Sequence, residues 1–465
     1  MRFALLAFFF CLSQCCFAQH WESLNSGVNR AVTKLYYDSI SSKLYVGGQF
    51  NSVDGQTIWG MATWNGTNWD SLGHGIDDPS ISNFPGSTWA MTRYGNYLYI
   101  GGNFRMAGNL PNTVGLARWD GSSWSAVPGS WAVPGSGVKD MIVDNNDLYI
   151  CGVFDSIGGI PASDIAKWNG SSWSAIGFNY PFDSSGYLTR MSFYHNRLYV
   201  AGVFSDPSGN TCHLASWDGN SWIFDTVVAR YGFVNDFAVY NDELFVSGAF
   251  YSSAGNTANC IVRWNDTLWK DVGGSVTIGN IPYPSVTEMQ VYNGKLYCAG
   301  SFEKIGGINA NCLAVWDGIQ WCAMSSSFDN GGVNLISFYN DTLYAGGWFQ
   351  NVDNMAIPYI AKWTGGNYVD TCGVISTGIP ESEISSFSIF PNPANDQLTI
   401  QFNDGFSKNS SLRILNSIGQ IVLEQELSAG EKTAVIDISG FAEGIYFLNI
   451  PGEKSSVSQK LIIER

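Results

Sequence analysis

Charged side chains recur at a fixed distance before a short stretch that this sequence repeats, and they are the first candidates for chemistry. Each copy of the stretch begins with a leucine, and the recurring position lies eight residues before that leucine, or ten in the first copy. The seven residues at this place are Lys34, Ala90, Asp140, Arg190, Asp236, Glu288 and Leu335. The five charges of mixed sign could bind a polar ligand or an ion, or could neutralise one another as ion pairs. Because both interpretations stay open, we assign no catalytic role to these carboxylates.

A second set of candidates is aromatic and lies in long segments that connect the copies. Its members are Trp59, Trp89, Trp131, Tyr180 and Tyr283, with Phe84 and Phe182 beside them. Aromatic rings on loops held by a rigid scaffold suit the faces of sugars or the anchor residues of peptides. The same rings could instead cover the packing between repeats.

Familiar catalytic and metal-binding motifs are missing from the sequence. The chain has four His residues and contains no HExxH, GxSxG, GxxxxGK[ST] or DxDxDG motif. We therefore expect no metal and no cofactor. Acidic residues outnumber basic ones 39 to 23, the net charge is −16, and no basic run could follow a phosphate backbone. Nucleic acid is accordingly not an expected partner.

A stretch of sequence repeated seven times must position these candidates. The copies begin at Leu44, Leu98, Leu148, Leu198, Leu244, Leu296 and Leu343, and read LYVGGQF in the first and LYAGGWF in the last. A Trp follows 13 to 15 residues after the Phe of each copy, and a second aromatic residue comes five residues later. Turn formers such as Asp120 and Gly121 between these aromatics predict hairpins, and each unit accommodates four strands, a to d. The repeat predicts an all-β fold, a closed seven-bladed β-propeller over residues 20–375.

Propeller geometry gives each candidate set a place. The a-to-b and c-to-d turns lie on one face and are short, whereas the b-to-c and d-to-a connections lie on the other and are long. The aromatic set belongs to this long-loop face, and the charged set lies on the innermost strands around the channel. For closure of the ring we favour residues 21–24, which copy the d-strand text, over residues 368–372.

The glycine and tryptophan pairs of the repeats resemble the kelch and galactose-oxidase-like propeller superfamily, and the GGxF-to-WDGxxW text is similar to fungal cortical-marker propeller repeats. The resemblance covers about 350 residues and implies a fold rather than an activity. A copper site of the galactose oxidase kind needs paired His and Tyr ligands near the axis. Four His residues in the whole chain argue against such a site.

The N-terminal residues 1–19 predict a signal peptide, because Arg2, an apolar run and Ala18 follow in that order. A lipoprotein signal at Cys15 is the alternative. No later stretch has the roughly 18 apolar residues that a transmembrane segment needs. Of the ten Cys residues, three lie in the signal, so an odd number remains and at least one is unpaired. The positions of Cys151 and Cys298 within strands favour buried thiols.

The C-terminal part, residues 385–465, follows a predicted linker, 376–384, and its short alternating segments predict a small Ig-like antiparallel β-sandwich. The motif positions are Pro391, Asn392, Pro393, Gly419, Gly444, Tyr446 and Lys460. Through them the segment resembles the type A C-terminal sorting domain of the type IX (Por) secretion system. That resemblance implies export, with the type IX machinery as partner, and often removal of the domain with attachment to the cell surface. An ordinary Ig-like accessory module is the alternative.

Together these features predict a secreted or cell-surface protein that binds glycans or proteins on its long-loop face. One alternative is a secreted polysaccharide lyase or hydrolase that uses Asp140, Asp236 or Glu288. A third is an adhesin or matrix component. The sequence leaves open whether the product stays attached to the cell or is released.

Overall fold

The structure, a computed structural model, describes residues 20–81, 84–129, 137–177, 186–225, 228, 232–251, 259–279, 283–324, 328–329, 332–364, 387–402, 410–416, 421–430, 432–451 and 456–464. The chain divides into two compact units, Met1–Val374 and Ile375–Arg465. Within the described ranges the regular structure is all β, and no helix there has the length and apolar character of a membrane span. The predicted signal peptide and linker lie outside these ranges and stay predictions.

Seven four-stranded antiparallel sheets account for most of the described part of the first unit, and we number them 1 to 7 and letter their strands a to d in pairing order. The a strands are Val32–Asp38, Ser87–Tyr94, Gly137–Asp144, Tyr187–Tyr194, Gly232–Tyr240, Ser285–Tyr292 and Val333–Tyr339. The b strands are Lys43–Gly48, Tyr97–Asn103, Asp147–Val153, Arg197–Ser205, Glu243–Phe250, Lys295–Ser301 and Thr342–Gly347. The c strands are Met61–Trp64, Leu116–Trp119, Ile165–Trp168, Thr211–Trp217, Ile261–Trp264, Leu313–Trp316 and Ile360–Thr364. The d strands are Trp69–Ser71, Trp124–Ala126, Trp173–Ala175, Trp222–Asp225, Trp269–Lys270, Trp321–Ala323 and His20–Ser23.

Short two-residue strands decorate the b-to-c and d-to-a connections. They are Ser52–Val53, Gln56–Thr57, Ile76–Asp77, Met106–Ala107, Ser156–Ile157, Ile160–Pro161, Val276–Thr277, Lys304–Ile305, Ile308–Asn309, Asn351–Val352 and Met355–Ala356. Their pairing gives these connections local structure of their own beside the main sheets.

The paired tryptophans confirm the predicted hairpins between c and d strands. Trp64 lies directly opposite Trp69, with ring centroids 5.1 Å apart, and later copies repeat the pair. In the turn between them, the Asn65 side chain accepts hydrogen bonds from the backbone N–H groups of Thr67 and Asn68. An Asx turn of this kind joins two antiparallel strands tightly and sets the two rings against each other.

The N-terminal strand completes sheet 7. His20–Ser23 pairs antiparallel with Ile360–Thr364, which places Trp21 opposite Trp363. This pairing confirms the closure that the sequence favours. Residues 368–372, the competing segment, lie outside the described residues.

The a strands of consecutive sheets contact one another from sheet 1 to sheet 7, and the a strand of sheet 7 contacts that of sheet 1. Apolar side chains fill each junction: Val46 of sheet 1 and Leu335 of sheet 7 belong to one buried cluster. Across the same junction the Tyr339 hydroxyl donates to the Ser42 carbonyl at 3.3 Å. The described sheets therefore form a closed, propeller-like arrangement whose core lies between neighbouring sheets.

A bulge near the start of each a strand decides which side chains reach the axis. Pairing with the b strand skips one residue in every sheet: Thr33, Trp89, Lys139, Thr189, Asn235, Thr287 and Asn334. The glycine two residues before each repeated Phe lies opposite this bulge, and a Cβ added at Gly202 would stand 2.0 Å from the Tyr187 carbonyl oxygen. The repeated glycine is thus required by the close approach of the bulged strand.

The second unit contains two antiparallel sheets over a common core. One has Gln397–Phe402 between Phe387–Phe390 and Thr433–Asp437, and the other has the order Ile421–Leu427, Ser410–Leu415, Gly444–Pro451, Ser456–Ile463. Buried side chains from both sheets, among them Leu398, Ile436, Leu412 and Leu448, form a single cluster. Two sheets packed in this way make a two-layer β structure; its Ig-like class stays a prediction.

Most of the cysteines in the described residues are buried free thiols. The free thiols are Cys151, Cys212, Cys260, Cys298 and Cys312. Cys151 and Cys298 are fully buried, as their strand positions predict, and burial raises the pKa of both thiols. Cys322 is disulfide-bonded.

Candidate functional site

The bulge residues of all seven a strands line one cavity of about 400 Å³. They are Thr33, Trp89, Lys139, Thr189, Asn235, Thr287 and Asn334. We call this space the axial cavity. Because each bulge lies just after a d-to-a connection, the axial cavity lies at the long-loop end of the sheets.

Several bulge residues also tie neighbouring sheets together. Thr33 Oγ1 donates to the Thr88 carbonyl at 2.6 Å, and Asn235 Nδ2 donates to the Val286 carbonyl at 3.3 Å. Asn334 differs, since among the described residues its buried Oδ1 has no hydrogen-bond partner. A buried acceptor without a donor is unfavourable, and Asn334 Oδ1 is such an acceptor in a residue that lines the axial cavity.

Aromatic rings surround the neutral polar groups of the axial cavity: Trp89, Tyr187, Phe233 and Trp348. Phe233 is 53% exposed and Trp348 is 52% exposed. Trp89 lies against the backbone of sheet 3, because a Cβ added at Gly137 would stand 3.1 Å from Trp89 Cζ3. The cavity therefore combines flat apolar surfaces with hydroxyl and amide groups.

Lys139 brings a positive charge to this cavity. Its Nζ lies 3.3 Å from the centre of the Trp89 ring, the geometry of a cation–π contact. Burial, followed by the nearby Arg190, lowers the pKa of Lys139 to about 8. Within the described part of the chain no carboxylate forms an ion pair with Lys139.

The charged residues that the sequence places at one register do occupy equivalent positions. Asp140, Arg190, Asp236 and Glu288 each pair with the corresponding b-strand residue, Cys151, Ala201, Ser247 and Ala299 respectively. Lys34 Nζ lies 3.9 Å from Glu288 Oε1, and Arg190 Nε lies 3.9 Å from Asp236 Oδ1. These contacts correspond to the ion-pair interpretation of the set.

The three carboxylates of this set also accept backbone N–H groups from the next sheet. Asp140 Oδ2 accepts from Met191 at 2.8 Å, and Asp236 Oδ2 accepts from Met289 at 2.7 Å. Glu288 makes the equivalent bond to the next sheet. Each carboxylate therefore joins two neighbouring sheets, which is a structural role.

Burial changes how two of these carboxylates titrate. Burial raises the pKa of Asp236 to about 6, although Arg190 opposes the change. Burial likewise raises the pKa of Glu288 to about 7, opposed by Lys34. Both groups therefore change charge near neutral pH.

A second cavity, of about 590 Å³, lies on the side of the a-to-b turns and is lined by Lys34, Asp140, Glu288 and Gln290 among others. The charged residues that line the axial cavity are Lys139 and Arg190, with no carboxylate in the described lining. The second cavity thus contains charges of both signs, whereas the described lining of the axial cavity carries positive charge only.

Of the aromatic residues that the sequence predicts for binding, Trp89 lines the axial cavity. Trp59 is half-buried and stacks on His74, with ring centroids 6.3 Å apart. Tyr283 is 69% exposed and contacts Tyr251 at 6.0 Å between ring centroids. Neither lines the axial cavity.

Trp131 and Tyr180 lie outside the described residues, as does Phe182. Their placement on the long-loop face stays a prediction.

Sequence reasoning missed Lys139, Phe233, Trp348 and Asn334. The register count selects the residue after each bulge, and the bulge brings the preceding residue to the cavity. The glycine opposite the bulge is the signal that could have shown this. Trp348 also stands out in the sequence, because the GGxF text of the last copy has a Trp where the first has Gln49.

No cluster of three or more His, Cys, Asp or Glu side chains suited to a metal ion occurs in the described ranges. His195 lies in the a-to-b turn of sheet 4 and contacts Asp266 and Asp242 of sheet 5, the latter at 2.9 Å. This histidine links two sheets at the face opposite the axial cavity.

In the second unit, hydrogen bonds connect the Pro391-Asn392-Pro393 segment and the residue after it to the Ser456–Ile463 strand. Asn392 Oδ1 accepts from the Ile462 backbone N–H at 2.8 Å, and the N–H of Ala394 donates to the Ile462 carbonyl at 2.9 Å.

The other predicted motif positions lie in the same sheet or outside the described part. Lys460 pairs through its backbone with Phe447 in the same sheet as Tyr446, whose hydroxyl donates to the Ala442 carbonyl at 2.9 Å. Gly444 begins the Gly444–Pro451 strand. Gly419 lies outside the described residues.

Residues 388–464 match the family described as the secretion system C-terminal sorting domain. The C-terminal unit thus carries the sorting domain of the type IX secretion system, and its presence implies interaction with that machinery. The protein is therefore exported through this system to the cell surface or secreted.

No curated protein matches the chain in sequence. Among solved structures, a fungal alcohol oxidase of the AA5 family in complex with copper has 11% identity and a TM-score of 0.39, over 96% of this chain and 100% of that one. A protein of unknown function from Bacteroides thetaiotaomicron has 12% identity and a TM-score of 0.32, over 69% and 81% of the two chains. A glycoside hydrolase family 43 arabinoxylan arabinofuranohydrolase from Bacillus subtilis, in complex with cellotetraose, has 10% identity and a TM-score of 0.27, over 94% and 95%. Similarities this distant identify neither an activity nor a ligand.

Proposed function

We propose that this is an exported glycan-binding protein. Its first unit is a seven-bladed β-propeller of the kelch and galactose-oxidase-like kind that binds a carbohydrate in the axial cavity, and its second unit is an Ig-like sorting domain that directs export. One observation carries the proposal: a side chain from every one of the seven sheets lines the same cavity at the long-loop end. Loops and strand ends that converge on one concave site are where ligands bind on rigid β scaffolds.

The chemistry of the lining favours a sugar over a wholly apolar ligand. Half-exposed rings of Phe233 and Trp348 offer flat surfaces, while hydroxyl and amide groups such as those of Thr189 and Asn334 offer donors and acceptors. Large apolar rings left exposed around a cavity are characteristic of binding surfaces. A sugar presents both an apolar ring face and hydroxyl groups, so it complements this combination.

A polysaccharide-active enzyme is the second candidate. It is favoured by Glu288, whose raised pKa of about 7 suits a general acid and whose side chain lines the second cavity. Against it stands the bond from Glu288 to the Ile336 backbone N–H at 3.2 Å, which gives the carboxylate a structural use. Release of products from plant or algal polysaccharides, lost in Glu288→Gln, would establish this alternative.

Binding of the purified exported protein to a panel of oligosaccharides tests the main proposal. We expect at least one to bind, and Trp348→Ala and Phe233→Ala each to weaken that binding about tenfold, or about 1.4 kcal/mol. Tyr283→Ala, which truncates a still more exposed aromatic away from the cavity, is the control and should leave affinity unchanged. Loss of binding in Tyr283→Ala with no effect of Trp348→Ala would move the site to the loops and contradict the proposal.

A further inference from the structure

The two cations of the axial cavity are unequally neutralised. Lys139 has the Trp89 ring beneath its ammonium group and no carboxylate partner in the described part of the chain. Lys139 is half-buried, and partial loss of water from an unpaired ammonium group is unfavourable, which a ring face offsets only in part. Lys139 therefore has an unmet preference for an anion.

Arg190 has donors left over as well. Its Nη1 donates to the Thr189 carbonyl at 2.9 Å, while Asp236 Oδ1 lies 3.9 Å from Nε, beyond hydrogen-bond distance. A guanidinium group carries five N–H donors, so these contacts use only part of its capacity. The remaining donors are suited to a planar or tetrahedral anion.

The nearby carboxylates Asp140, Asp236 and Glu288 act on Arg190 and not on Lys139. Asp140 and Glu288 line the second cavity, and their oxygens accept backbone N–H groups of neighbouring sheets. A chain with a net charge of −16 thus presents positive charge at this cavity. An excess of one charge sign in a concave site with low-dielectric walls attracts ligands of the opposite sign.

We propose that the axial cavity binds an anionic sugar unit, with its carboxylate or sulfate group contacting Lys139 and Arg190. This inference rests on the proposed glycan binding and adds the charge of the ligand to it. The remainder of the sugar meets the neutral groups of Thr189 and Asn334 and the ring of Trp348. A carboxylate and a sulfate ester share the chemistry that these two cations recognise, so the experiment separates the two sources.

Isothermal titration calorimetry with matched oligosaccharides tests the inference on the purified full exported chain. The probes are oligogalacturonate, oligoalginate and sulfated galactan oligosaccharides, with methyl-esterified, carboxyl-reduced or desulfated forms as neutral counterparts. We expect at least one anionic probe to bind roughly tenfold more tightly than its neutral counterpart, and added salt to weaken its binding. Binding of carboxylated or of sulfated probes alone supports the inference and names the group.

Variants of Lys139 provide a second test of the inference. Lys139→Gln should weaken binding of the anionic probe roughly tenfold and leave binding of its neutral counterpart unchanged. Lys139→Arg keeps the charge and should retain most of the affinity. Lys304→Gln, an exposed lysine outside the cavity, is the matched control. Circular dichroism and thermal unfolding of each variant report whether it is folded.

Two outcomes overturn the inference in different ways. If neutral probes bind as tightly as anionic ones and Lys139→Gln changes nothing, the glycan proposal stands and the charge assignment is wrong. If no probe of either kind binds, the proposed function fails together with it.

Discussion

Trp21 lies directly opposite Trp363 in sheet 7, with ring centroids 5.3 Å apart, although the two residues come from opposite ends of the repeat region. Trp21 is fully buried and also contacts Phe328 at 5.2 Å between ring centroids. Because the His20–Ser23 strand completes sheet 7, the Ile360–Thr364 strand is not left as an exposed edge. The closed ring holds the seven bulge residues around one cavity.

Removing the Trp21 ring should open this closure. Trp21→Ala leaves a large void beside Trp363 and Phe328, so we expect a loss of about 3–5 kcal/mol in the free energy of unfolding. Chemical denaturation of the purified protein measures it. Trp348→Ala, which truncates a half-exposed Trp of the same chain, should change stability by less than about 1 kcal/mol. Equal effects of the two changes would contradict the role given to Trp21.

The carboxylate of Asp140 should matter for stability rather than for chemistry. Asp140→Ala leaves the Met141 and Met191 backbone N–H groups without their acceptor, so we expect a loss of about 1–3 kcal/mol. Thermal unfolding and oligosaccharide titration are measured on the same sample. The exposed Asp155→Ala is the control. Unchanged stability together with lost turnover of a polysaccharide would favour the enzyme alternative.

His195 should make stability depend on pH. Its hydrogen bonds to Asp266 and then Asp242 raise the pKa of His195 above its usual 6.5. The stabilisation is therefore fully present below about pH 6.5 and is lost as pH rises through the raised pKa. The difference in melting temperature between wild type and His195→Gln should shrink between acidic and alkaline pH. Asp266→Asn should reduce that change, and a difference independent of pH would contradict the assignment.

Binding of an anionic sugar should weaken as pH rises through about 8, where Lys139 loses its proton. The groups that face Lys139 are Arg190, which lowers its pKa, and Cys151, which opposes that effect. Toward lower pH, protonation of Asp236 leaves Arg190 less neutralised, so affinity should rise. Titrations on both sides of pH 8 measure the dependence. In Lys139→Arg the side chain stays charged, so affinity should no longer fall as pH rises above 8. If the affinity of this variant falls with pH as it does in wild type, another group is responsible.

Asn392 should support export through the last strand of the sorting domain. Asn392→Ala removes the acceptor of the Ile462 N–H, and we expect about 1 kcal/mol less stability in the C-terminal unit. The fraction of protein outside the cell should fall, as an immunoblot of medium, surface and periplasm would show. The exposed Gln397→Ala is the control. If Asn392→Ala destabilises the C-terminal unit and is still fully exported, this contact is not needed for sorting.

The sequence predicts the repeated sheets well because their signals are local. The text around Trp64 and Trp69 contains both the cross-strand pair and its turn, and the register of Asp140 and Glu288 follows from counting along strands. The copy of the d-strand text at Trp21 likewise predicts a contact between distant parts of the chain.

The residues of the candidate site could not be predicted by counting along the strands. A bulge adds one residue to a strand, so Lys139 reaches the axial cavity while the counted Asp140 turns toward the next sheet. Phe233 and Trp348 lie in different sheets, and they share a cavity only because the ring closes. Whether a loop aromatic such as Tyr283 reaches the axis depends on loop conformation, which no periodic pattern encodes.

A crystal structure of the exported protein with its tightest oligosaccharide tests the central claim most directly. The account predicts a sugar in the axial cavity, with a ring face against Trp348 or Phe233 and an acidic group within hydrogen-bond distance of Lys139. An oligosaccharide bound on the outer loops, or in the second cavity beside Glu288, would contradict it.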